Sequence, residues 1–456
     1  MLPAAIFPGE AELNELIISV SGLRGIVGVS LTPEVATRYV TAFVADLPPG
    51  ALVVSRDGRE TGPLFRDAVH AALTAADRPI VELGVAATPT VGVAVRRERA
   101  AGGIQISASH NPAEYNGLKL FDNRGQVLDA AAGQRVLERY HQVPSCVVAA
   151  QRSEPHRSSQ AHHDHGQRIL QTVHLSRVQS RSFRVLLDSN HGAGGLLGNH
   201  LLAQLGCQVE SVGGEPTGQF THPPEPTADH LQQVAGLIAR GDVDVGFCQD
   251  PDADRLAIID RDGRYLGEEY TLAICLHHVL RHRVGPVVTN CATSRMSADL
   301  AERFGAPFFR SAVGEANVVE LMRQQGAVFG GEGNGGPIDP RVGYIRDSFV
   351  GMALVLDAMA ERGMTVGELA DELPRYAMHK TKVAIQPAQI GPLLDQLTTR
   401  FPEATVDQLD GLRCDWDDRW VLIRASNTEP IVRIISEAPS ATAAVSLCAE
   451  VGDLLG

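Results

Sequence analysis

The alternation of hydrophobic and polar residues predicts three similar α/β units. Each unit begins with a short apolar run, continues through a loop with Gly, Asp or Ser and an amphipathic helical segment, and ends in a second apolar run. Strands that alternate with helices in this way indicate a parallel or mixed sheet with helices on both faces. The units occupy residues 51–83, 183–212 and 286–309. One large doubly wound sheet is the alternative.

The pattern changes after Pro374. Apolar runs at residues 381–385, 420–424 and 431–435 accompany helical segments at 390–401 and from about residue 441. This order is typical of a small α+β domain with an antiparallel sheet. We therefore predict an α/β protein of three similar domains with mixed sheets and a C-terminal α+β domain. The expected domain bounds are 1–150, 151–260, 261–373 and 374–456.

A polar stretch without periodicity, residues 153–166, separates the first two units. Such a stretch predicts an exposed linker. It contains four histidines that could together hold a metal ion, although a solvated linker is the preferred interpretation. These are His156, His162, His163 and His165.

Composition narrows the class of protein. The 456 residues are 44% hydrophobic and 21% charged, as in ordinary globular proteins, and the net charge of -14 argues against a nucleic-acid-binding surface. The seven cysteines are an odd number without a C-x-x-C pair, which favours reduced thiols. No signal-peptide pattern or membrane-length apolar run occurs. We expect a cytoplasmic monomer or homodimer without a membrane partner.

Candidate chemistry begins at Ser109. The apolar run at residues 103–106 stops at the motif SASHNP (residues 107–112), which places a serine hydroxyl just after a predicted strand, where we expect it to be exposed. A serine hydroxyl is a weak nucleophile unless a base, a metal or a charge-stabilising group assists it. Taken alone, the motif is more typical of an Asn-Pro turn with a capping serine.

The second candidate is the acidic run DPDADR (residues 250–255). In an extended run, side chains two residues apart point the same way, so Asp250, Asp252 and Asp254 would converge. Converging carboxylates repel one another unless a cation binds them, and oxygen ligands favour Mg²⁺ or Ca²⁺. The run lacks the Gly and Glu of an EF-hand loop, so Mg²⁺ bound together with a phosphate is preferred. A solvated acidic turn is the alternative.

Two loops carry residues suited to phosphate. The motif RASNTEP (residues 424–430) places hydroxyl and amide side chains between Arg424 and Arg433, which is typical of a phosphate cradle. A capped hairpin turn has the same composition. A glycine-spaced loop at residues 21–28 carries Arg24 and is too short for a dinucleotide fingerprint.

A glycine-rich motif suits a sugar. The motif GEGNGG (residues 331–336) presents the polar side chains of Glu332 and Asn334 on a bare backbone. Such an arrangement can bind sugar hydroxyls.

Together, the motifs SASHNP, DPDADR, GEGNGG and RASNTEP resemble those of the α-D-phosphohexomutases in order and spacing along nearly the whole chain. This family contains phosphoglucomutase, phosphomannomutase and phosphoglucosamine mutase. The resemblance implies four domains around a central cleft, and a hexose phosphate substrate that reacts through its 1,6-bisphosphate. The GEGNGG motif is most similar to that of mutases for glucosamine phosphate or mannose phosphate, and phosphoglucosamine mutase is the preferred interpretation. Phosphomannomutase or phosphoglucomutase, a metal-dependent sugar phosphatase and a non-catalytic sugar-phosphate-binding protein are the alternatives.

The resemblance also implies a role for each candidate residue. The implied catalytic residues are Ser109 as the phosphoserine, His110, Lys119, Arg255 and Arg24. The implied Mg²⁺ ligands are Ser109, Asp250, Asp252 and Asp254. The implied substrate-binding residues are Glu332, Asn334, Arg424, Ser426, Asn427, Thr428 and Arg433. Many family members carry a histidine where this chain has Gly336, so the general acid or base stays unassigned.

Overall fold

The computed structural model describes residues 16–19, 22–144, 154–385, 397, 399–425 and 431–454. Their strands form one sheet of seven strands, two of four and one of five. The first three sheets combine parallel and antiparallel pairs and carry helices, and the last is wholly antiparallel. The predicted α/β architecture with a C-terminal α+β unit is confirmed.

The first sheet is mixed and is covered by four helices. Its strands are β1 (Ile17–Ser19), β2 (Gly22–Ile26), β3 (Leu52–Arg56), β4 (Ile80–Val85), β5 (Gly102–Ile106), β6 (Tyr115–Phe121) and β7 (His156–Arg157). Its helices are α1 (Pro33–Val44), α2 (Gly62–Ala75), α3 (Thr88–Glu98) and α4 (Ala130–Gln142). The strand order is β1-β2-β6-β5-β3-β4-β7.

The predicted glycine loop at residues 21–28 is wrong for most of its length. Residues 22–26 form β2, which pairs along its whole length with β6. The glycines are needed because the strands lie close: a Cβ on Gly22 would lie 2.1 Å from the carbonyl oxygen of Leu118. Spaced glycines therefore marked close backbone approach within a sheet.

The second sheet has four strands in the order β11-β10-β8-β9. Its strands are β8 (Arg184–Asp188), β9 (Gln208–Val212), β10 (Val245–Gln249) and β11 (Leu256–Asp260). The helices of this region are α5 (Ala161–Leu170), α6 (Leu175–Gln179), α7 (Gly194–Gln204) and α8 (Gln232–Arg240).

The exposed linker predicted at residues 153–166 is wrong in its second half, where α5 begins, although most of residues 154–160 are exposed. His165 is fully buried, with Nδ1 2.9 Å from Thr90 Oγ1 and Nε2 2.7 Å from Asp347 Oδ2. It shares the buried face of α5 with Ala161 and Ile169. The four-residue spacing of Ala161, His165 and Ile169 is typical of a helix, but it was not recognised because histidine was counted as a polar residue.

The third sheet has four strands in the order β13-β12-β14-β15. Its strands are β12 (Val287–Asn290), β13 (Phe308–Ser311), β14 (Phe329–Glu332) and β15 (Gly336–Ile338). The helices of this region are α9 (Glu268–His282), α10 (Met296–Arg303), α11 (Glu315–Gln325), α12 (Ser348–Arg362) and α13 (Val366–Asp371).

The fourth sheet has five antiparallel strands in the order β16-β20-β19-β18-β17. Its elements are β16 (Ala377–Ala384), β17 (Thr405–Asp407), β18 (Leu412–Asp415), β19 (Trp420–Ala425), β20 (Ile431–Ala438) and α14 (Ala441–Asp453). The sequence pattern did not predict β17 and β18. Most of the helix predicted at 390–401 lies outside the described residues.

Helix α12 connects the second and third sheets. Asp347 caps its first turn, and every residue from Ser348 to Met359 is buried. Its apolar side chains belong to one hydrophobic core that includes residues from both sheets. In the described part of the chain, no helix is long and apolar enough to cross a membrane.

Candidate functional site

A cavity of about 790 Å³ is lined by residues from all four regions of the fold. Arg24 lies on β2, Glu332 ends β14 and Arg433 lies on β20. Arg255 lies just before β11 and comes from the second region. The cavity has the central position that the resemblance implies for the active-site cleft.

Ser109 lies in the loop that follows β5. Its backbone is left-handed, with a φ of 49°, and the residue is only 2% exposed, so the predicted exposed hydroxyl is wrong. The Oγ atom donates a hydrogen bond to Asp250 Oδ2 at 2.8 Å and lies 3.3 Å from His110 Nδ1. A buried serine held against a carboxylate is more than a capping residue, since the contact joins two distant loops.

Arg59, which the sequence analysis did not identify as a site residue, holds the serine loop in place. It is 2% exposed, and Asp57 pairs with it while accepting a hydrogen bond from Ser107 Oγ at 2.6 Å. The guanidinium donates to four backbone carbonyls, those of Ser109, Asn111, Pro112 and Tyr115. This convergence explains why the loop is drawn inward. The charged loop directly after buried β3 was the available signal.

The acidic run converges as predicted, but through a tight turn instead of an extended chain. Ala253 has a left-handed φ of 55°, and its N–H donates to the carbonyl of Asp250 at 2.9 Å. Oxygen atoms of Asp250, Asp252 and Asp254 therefore lie within 4.8 Å of one another, and all three residues are buried. Thr88 Oγ1, at the start of α3, donates to Asp252 Oδ2 at 2.5 Å.

Lys119 partly neutralises these three carboxylates. Its Nζ atom donates to Asp252 Oδ2 at 2.9 Å and to Asp254 Oδ2 at 2.8 Å. Burial alone would raise the pKa of Asp252, but the charge of Lys119 and the hydrogen bonds with Asp250, Thr88 and Lys119 together outweigh burial and hold that pKa below its usual value. Burial, together with the charges of Asp252 and Asp254, raises the pKa of Asp250 well above its usual value. The three carboxylates thus still repel one another beside Lys119, and a bound cation would relieve that repulsion.

The unpaired oxygens of this cluster suit a divalent cation. The Oδ1 atoms of Asp252 and Asp254 are buried and have no hydrogen-bond partner among the described residues. Buried carboxylate oxygens without a partner are costly, and oxygen-only ligand sets favour hard cations. We call Asp250, Asp252 and Asp254 the acidic triad. The triad could hold a metal ion.

Arginines and a neutral histidine lie beside Ser109. Arg24 Nη1 donates to Asn111 Oδ1 at 3.0 Å, and Arg255 Nε is buried without a hydrogen-bond partner in the described structure. Burial lowers the pKa of His110 to about 2, and the positive charges of Arg255 and Arg24 contribute to that shift. His110 is therefore neutral at physiological pH, and the arginines supply the positive charge in this corner of the cavity.

Glu332 and Asn334 occupy the hairpin between β14 and β15. Both line the cavity. Glu332 is 4% exposed and accepts hydrogen bonds from Asn290 at 2.7 Å and the Gly314 N–H at 3.1 Å. Asn334 Oδ1 is buried with no partner among the described residues. The GEGNGG motif was predicted to be a bare loop. In the structure it forms the end of β14, a tight turn and the start of β15.

Arg346 joins this hairpin to the acidic triad, and sequence reasoning missed it. Its guanidinium donates to Asp254 Oδ2 at 2.7 Å and to Glu332 Oε2 at 2.8 Å, and lies 3.4 Å from Glu315. A Cβ on Gly336 would lie 2.4 Å from Arg346 Cδ. Gly336 thus makes room for a buried arginine that lies ten residues further along the chain.

The predicted phosphate cradle is described only at its two ends. Arg424 Nε donates to Asp410 Oδ2 at 2.7 Å, and the same carboxylate accepts from the Val313 N–H at 2.9 Å. Arg433 lines the cavity. Ser426, Asn427 and Thr428 lie outside the described residues.

Models of four phosphoglucomutase/phosphomannomutase domains match the chain. The alpha/beta/alpha domains I, II and III match residues 16–145, 163–263 and 268–376, and the C-terminal domain matches residues 386–454. A Thermococcus kodakarensis protein named phosphoglucomutase/phosphomannomutase is 34% identical over 437 residues, which are 92% of this chain and 94% of the relative. A Methanopyrus kandleri protein named "Probable phosphoglucosamine mutase" is 33% identical over 452 residues, which are 95% of this chain and 96% of the relative.

A solved structure shares the whole architecture. It is a phosphoglucomutase/phosphomannomutase family protein from Burkholderia thailandensis, 26% identical, with a TM-score of 0.83 over 96% of this chain and 98% of the other. The matching domains follow the same order as the four sheets described above. The chain belongs to the phosphoglucomutase/phosphomannomutase family.

Proposed function

We propose that the protein interconverts hexose 1-phosphates and hexose 6-phosphates, with glucosamine phosphate as the preferred substrate. The observation that carries the proposal is the contact between Ser109 Oγ and Asp250 Oδ2 at 2.8 Å, at a cavity lined by Arg24 and Arg255. A serine beside a cation-suited carboxylate cluster and two arginines has the surroundings that a phosphoserine needs. Family relatives named for phosphoglucosamine, phosphomannose and phosphoglucose chemistry support this reading.

In the proposed reaction, Ser109 carries a phosphoryl group and transfers it to the free hydroxyl of a bound hexose phosphate. A bond forms between that hydroxyl oxygen and phosphorus while the bond from phosphorus to Ser109 Oγ breaks. The hydroxyl loses one proton and Ser109 Oγ gains one, so the product is the 1,6-bisphosphate. The reverse transfer, from the other end of the bisphosphate, restores the phosphoserine and completes isomerisation.

The surrounding residues would position and neutralise the phosphoryl group. The acidic triad, together with the phosphate on Ser109, would hold Mg²⁺, which supplies positive charge for the phosphoryl oxygens when bound. Lys119 already bridges two triad carboxylates, so it can keep them oriented. Arg24 and Arg255 would face the transferring group, and neutral His110 would orient the serine loop.

The far side of the cavity would hold the rest of the substrate. Glu332 and Asn334 line the cavity, and we propose them as sugar contacts. Arg424 and Arg433, together with residues 426–428, would bind the second phosphate through charge-assisted hydrogen bonds. We also propose the domain bounds 1–150, 151–260, 261–373 and 374–456, and a cytoplasmic monomer or homodimer.

One incubation separates this function from its alternatives. Purified protein is mixed with glucosamine 6-phosphate, Mg²⁺ and a trace of the corresponding 1,6-bisphosphate, and products are followed by ³¹P NMR. A mutase forms the 1-phosphate, a phosphatase releases inorganic phosphate, and a binding protein changes nothing. Parallel samples with mannose and glucose phosphates test the substrate preference.

A further inference from the structure

Glu269, in the first turn of α9, places its carboxylate beside the hairpin between β14 and β15. A Cβ added to Gly333 would lie 2.0 Å from Glu269 Oε1 and 2.1 Å from Oε2. Any other residue at position 333 would therefore displace this carboxylate. The Gly333 backbone is fixed, because its N–H donates to Thr293 Oγ1 at 3.0 Å. The glycine thus provides the space through which Glu269 reaches the cavity.

Three glutamates line the cavity in the described structure, and they differ in how far they are already paired. Glu332 has four neighbouring donors, counting the Asn334 amide at 3.4 Å, and one of these donors is the guanidinium of Arg346. A carboxylate has about four acceptor positions, so Glu332 is nearly saturated. Glu225 lies 3.8 Å from Arg255.

Glu269 is different because it has no ionic partner within 4.0 Å among the described residues. Its Oε2 atom accepts one hydrogen bond, from the Ser294 N–H at 3.0 Å. Lys380 lines the same cavity but is exposed. Burial is the main cause that raises the pKa of Glu269 to about 8. Glu269 is only partly exposed, so a ligand cation at this position would offset the cost of holding its carboxylate without a counter-ion.

We propose that Glu269 is a specificity-determining residue that binds the ammonium group of an amino-hexose phosphate. The inference rests on the proposed mutase function and identifies its substrate class. Neutral hexose phosphates carry a hydroxyl at the corresponding position, and a hydroxyl gains less from an ionised carboxylate than an ammonium group does. Glu269 thus discriminates by charge, whereas the second-phosphate contacts would serve all hexose phosphates alike.

The test compares kcat/KM for glucosamine 6-phosphate and glucose 6-phosphate in the wild type and in Glu269→Gln. Losing a charge-assisted hydrogen bond lowers the glucosamine value by about tenfold or more, whereas the glucose value changes by less than about threefold. The loss for glucosamine phosphate should be mainly in KM, because the ammonium group does not react. Glu269→Asp keeps the charge and should recover part of the preference.

Two further measurements secure the interpretation. Glu225→Gln removes a negative charge from the same cavity and should change both substrates by a similar factor. Calorimetric titration of Ser109→Ala and of Ser109→Ala/Glu269→Gln with each sugar phosphate reports binding without turnover, and only glucosamine 6-phosphate binding should weaken. Equal effects on both sugars, in turnover and in binding, would overturn the role of Glu269. A wild type that isomerises neither sugar would instead overturn the proposed function.

Discussion

Arg346→Met should destabilise the protein strongly, because Arg346 compensates carboxylates from two separate loops. The side chain is 8% exposed and contacts Asp254 at 2.7 Å, Glu332 at 2.8 Å and Glu315 at 3.4 Å. Methionine retains much of the aliphatic volume beside Gly336, so a packing defect contributes little. The change therefore isolates the loss of the buried positive charge.

The magnitude follows from the uncompensated carboxylates. Removing one partner of a buried ion pair costs about 3–5 kcal/mol, because the remaining charge stays buried. Arg346 serves three carboxylates, but Lys119 also contacts Asp254, and Asn290 also contacts Glu332. These additional donors limit the loss. We therefore expect the free energy of unfolding to fall by about 3–5 kcal/mol, not by a multiple of it.

Urea unfolding followed by far-UV circular dichroism measures this loss. Hydrogen exchange of residues 329–338 locates it, since amides of the β14–β15 hairpin should exchange faster than those of the fourth sheet. A cation at the acidic triad would partly replace the missing charge. Saturating Mg²⁺ should therefore recover more stability in Arg346→Met than it adds to the wild type.

Arg400→Met is a suitable control. Arg400 pairs with Glu450 at 2.7 Å, but both side chains are largely exposed, so no measurable change is expected. A loss below about 1 kcal/mol in Arg346→Met would mean that Arg346 behaves as a surface residue. Hydrogen exchange unchanged at the hairpin would equally contradict its role as the link between the two loops.

Three further predictions address other contacts. Gly336→Ala should lower kcat/KM at least about tenfold in a steady-state assay without removing a charge, because the methyl group displaces Arg346; wild-type activity would disprove this. Chelation should abolish turnover and Mg²⁺ should restore it, whereas activity that survives thorough EDTA treatment would exclude a metal at the acidic triad. Burial lowers the pKa of His222, but the hydrogen bond to Asp188, the charge of Asp188 and the hydrogen bond to the Pro223 carbonyl together outweigh burial and raise that pKa. His222→Gln should therefore lower the Tm most at acidic pH below about 6.5, and progressively less as the pH rises through the folded-state pKa; an equal loss at all pH values would refute this.

The hydrophobic pattern was sufficient for the architecture because the strands are short, buried and bounded by loops. Strand β9 ends at Val212, where the pattern predicted the end of the second unit. The failures occurred where tertiary contacts override local pattern. Buried His165 lies in a stretch whose composition is that of a linker. The glycines of β2 look like a loop, but they are there because β6 lies close.

The candidate site was predictable where its residues are adjacent in sequence. The convergence of the acidic triad followed from its spacing, although Ala253 achieves it through a turn. The partners supplied by distant segments were not predictable. Arg59 and Arg346 contact loops that are distant from them in sequence, and no local sequence pattern predicts those contacts. The charged loop after β3 was a hint for Arg59, and Gly336 was a hint for Arg346 because it leaves space that the arginine fills.

Phosphoryl transfer from Ser109 tests the central claim most directly. Protein carrying a ³²P label is mixed with unlabelled glucosamine 6-phosphate in a single turnover, and the reaction is quenched at intervals. We predict that label leaves the peptide containing Ser109 and appears first in the 1,6-bisphosphate, and that Ser109→Ala neither takes up label nor isomerises the substrate. Label that passes directly to inorganic phosphate, or an alanine variant with wild-type turnover, would contradict the account.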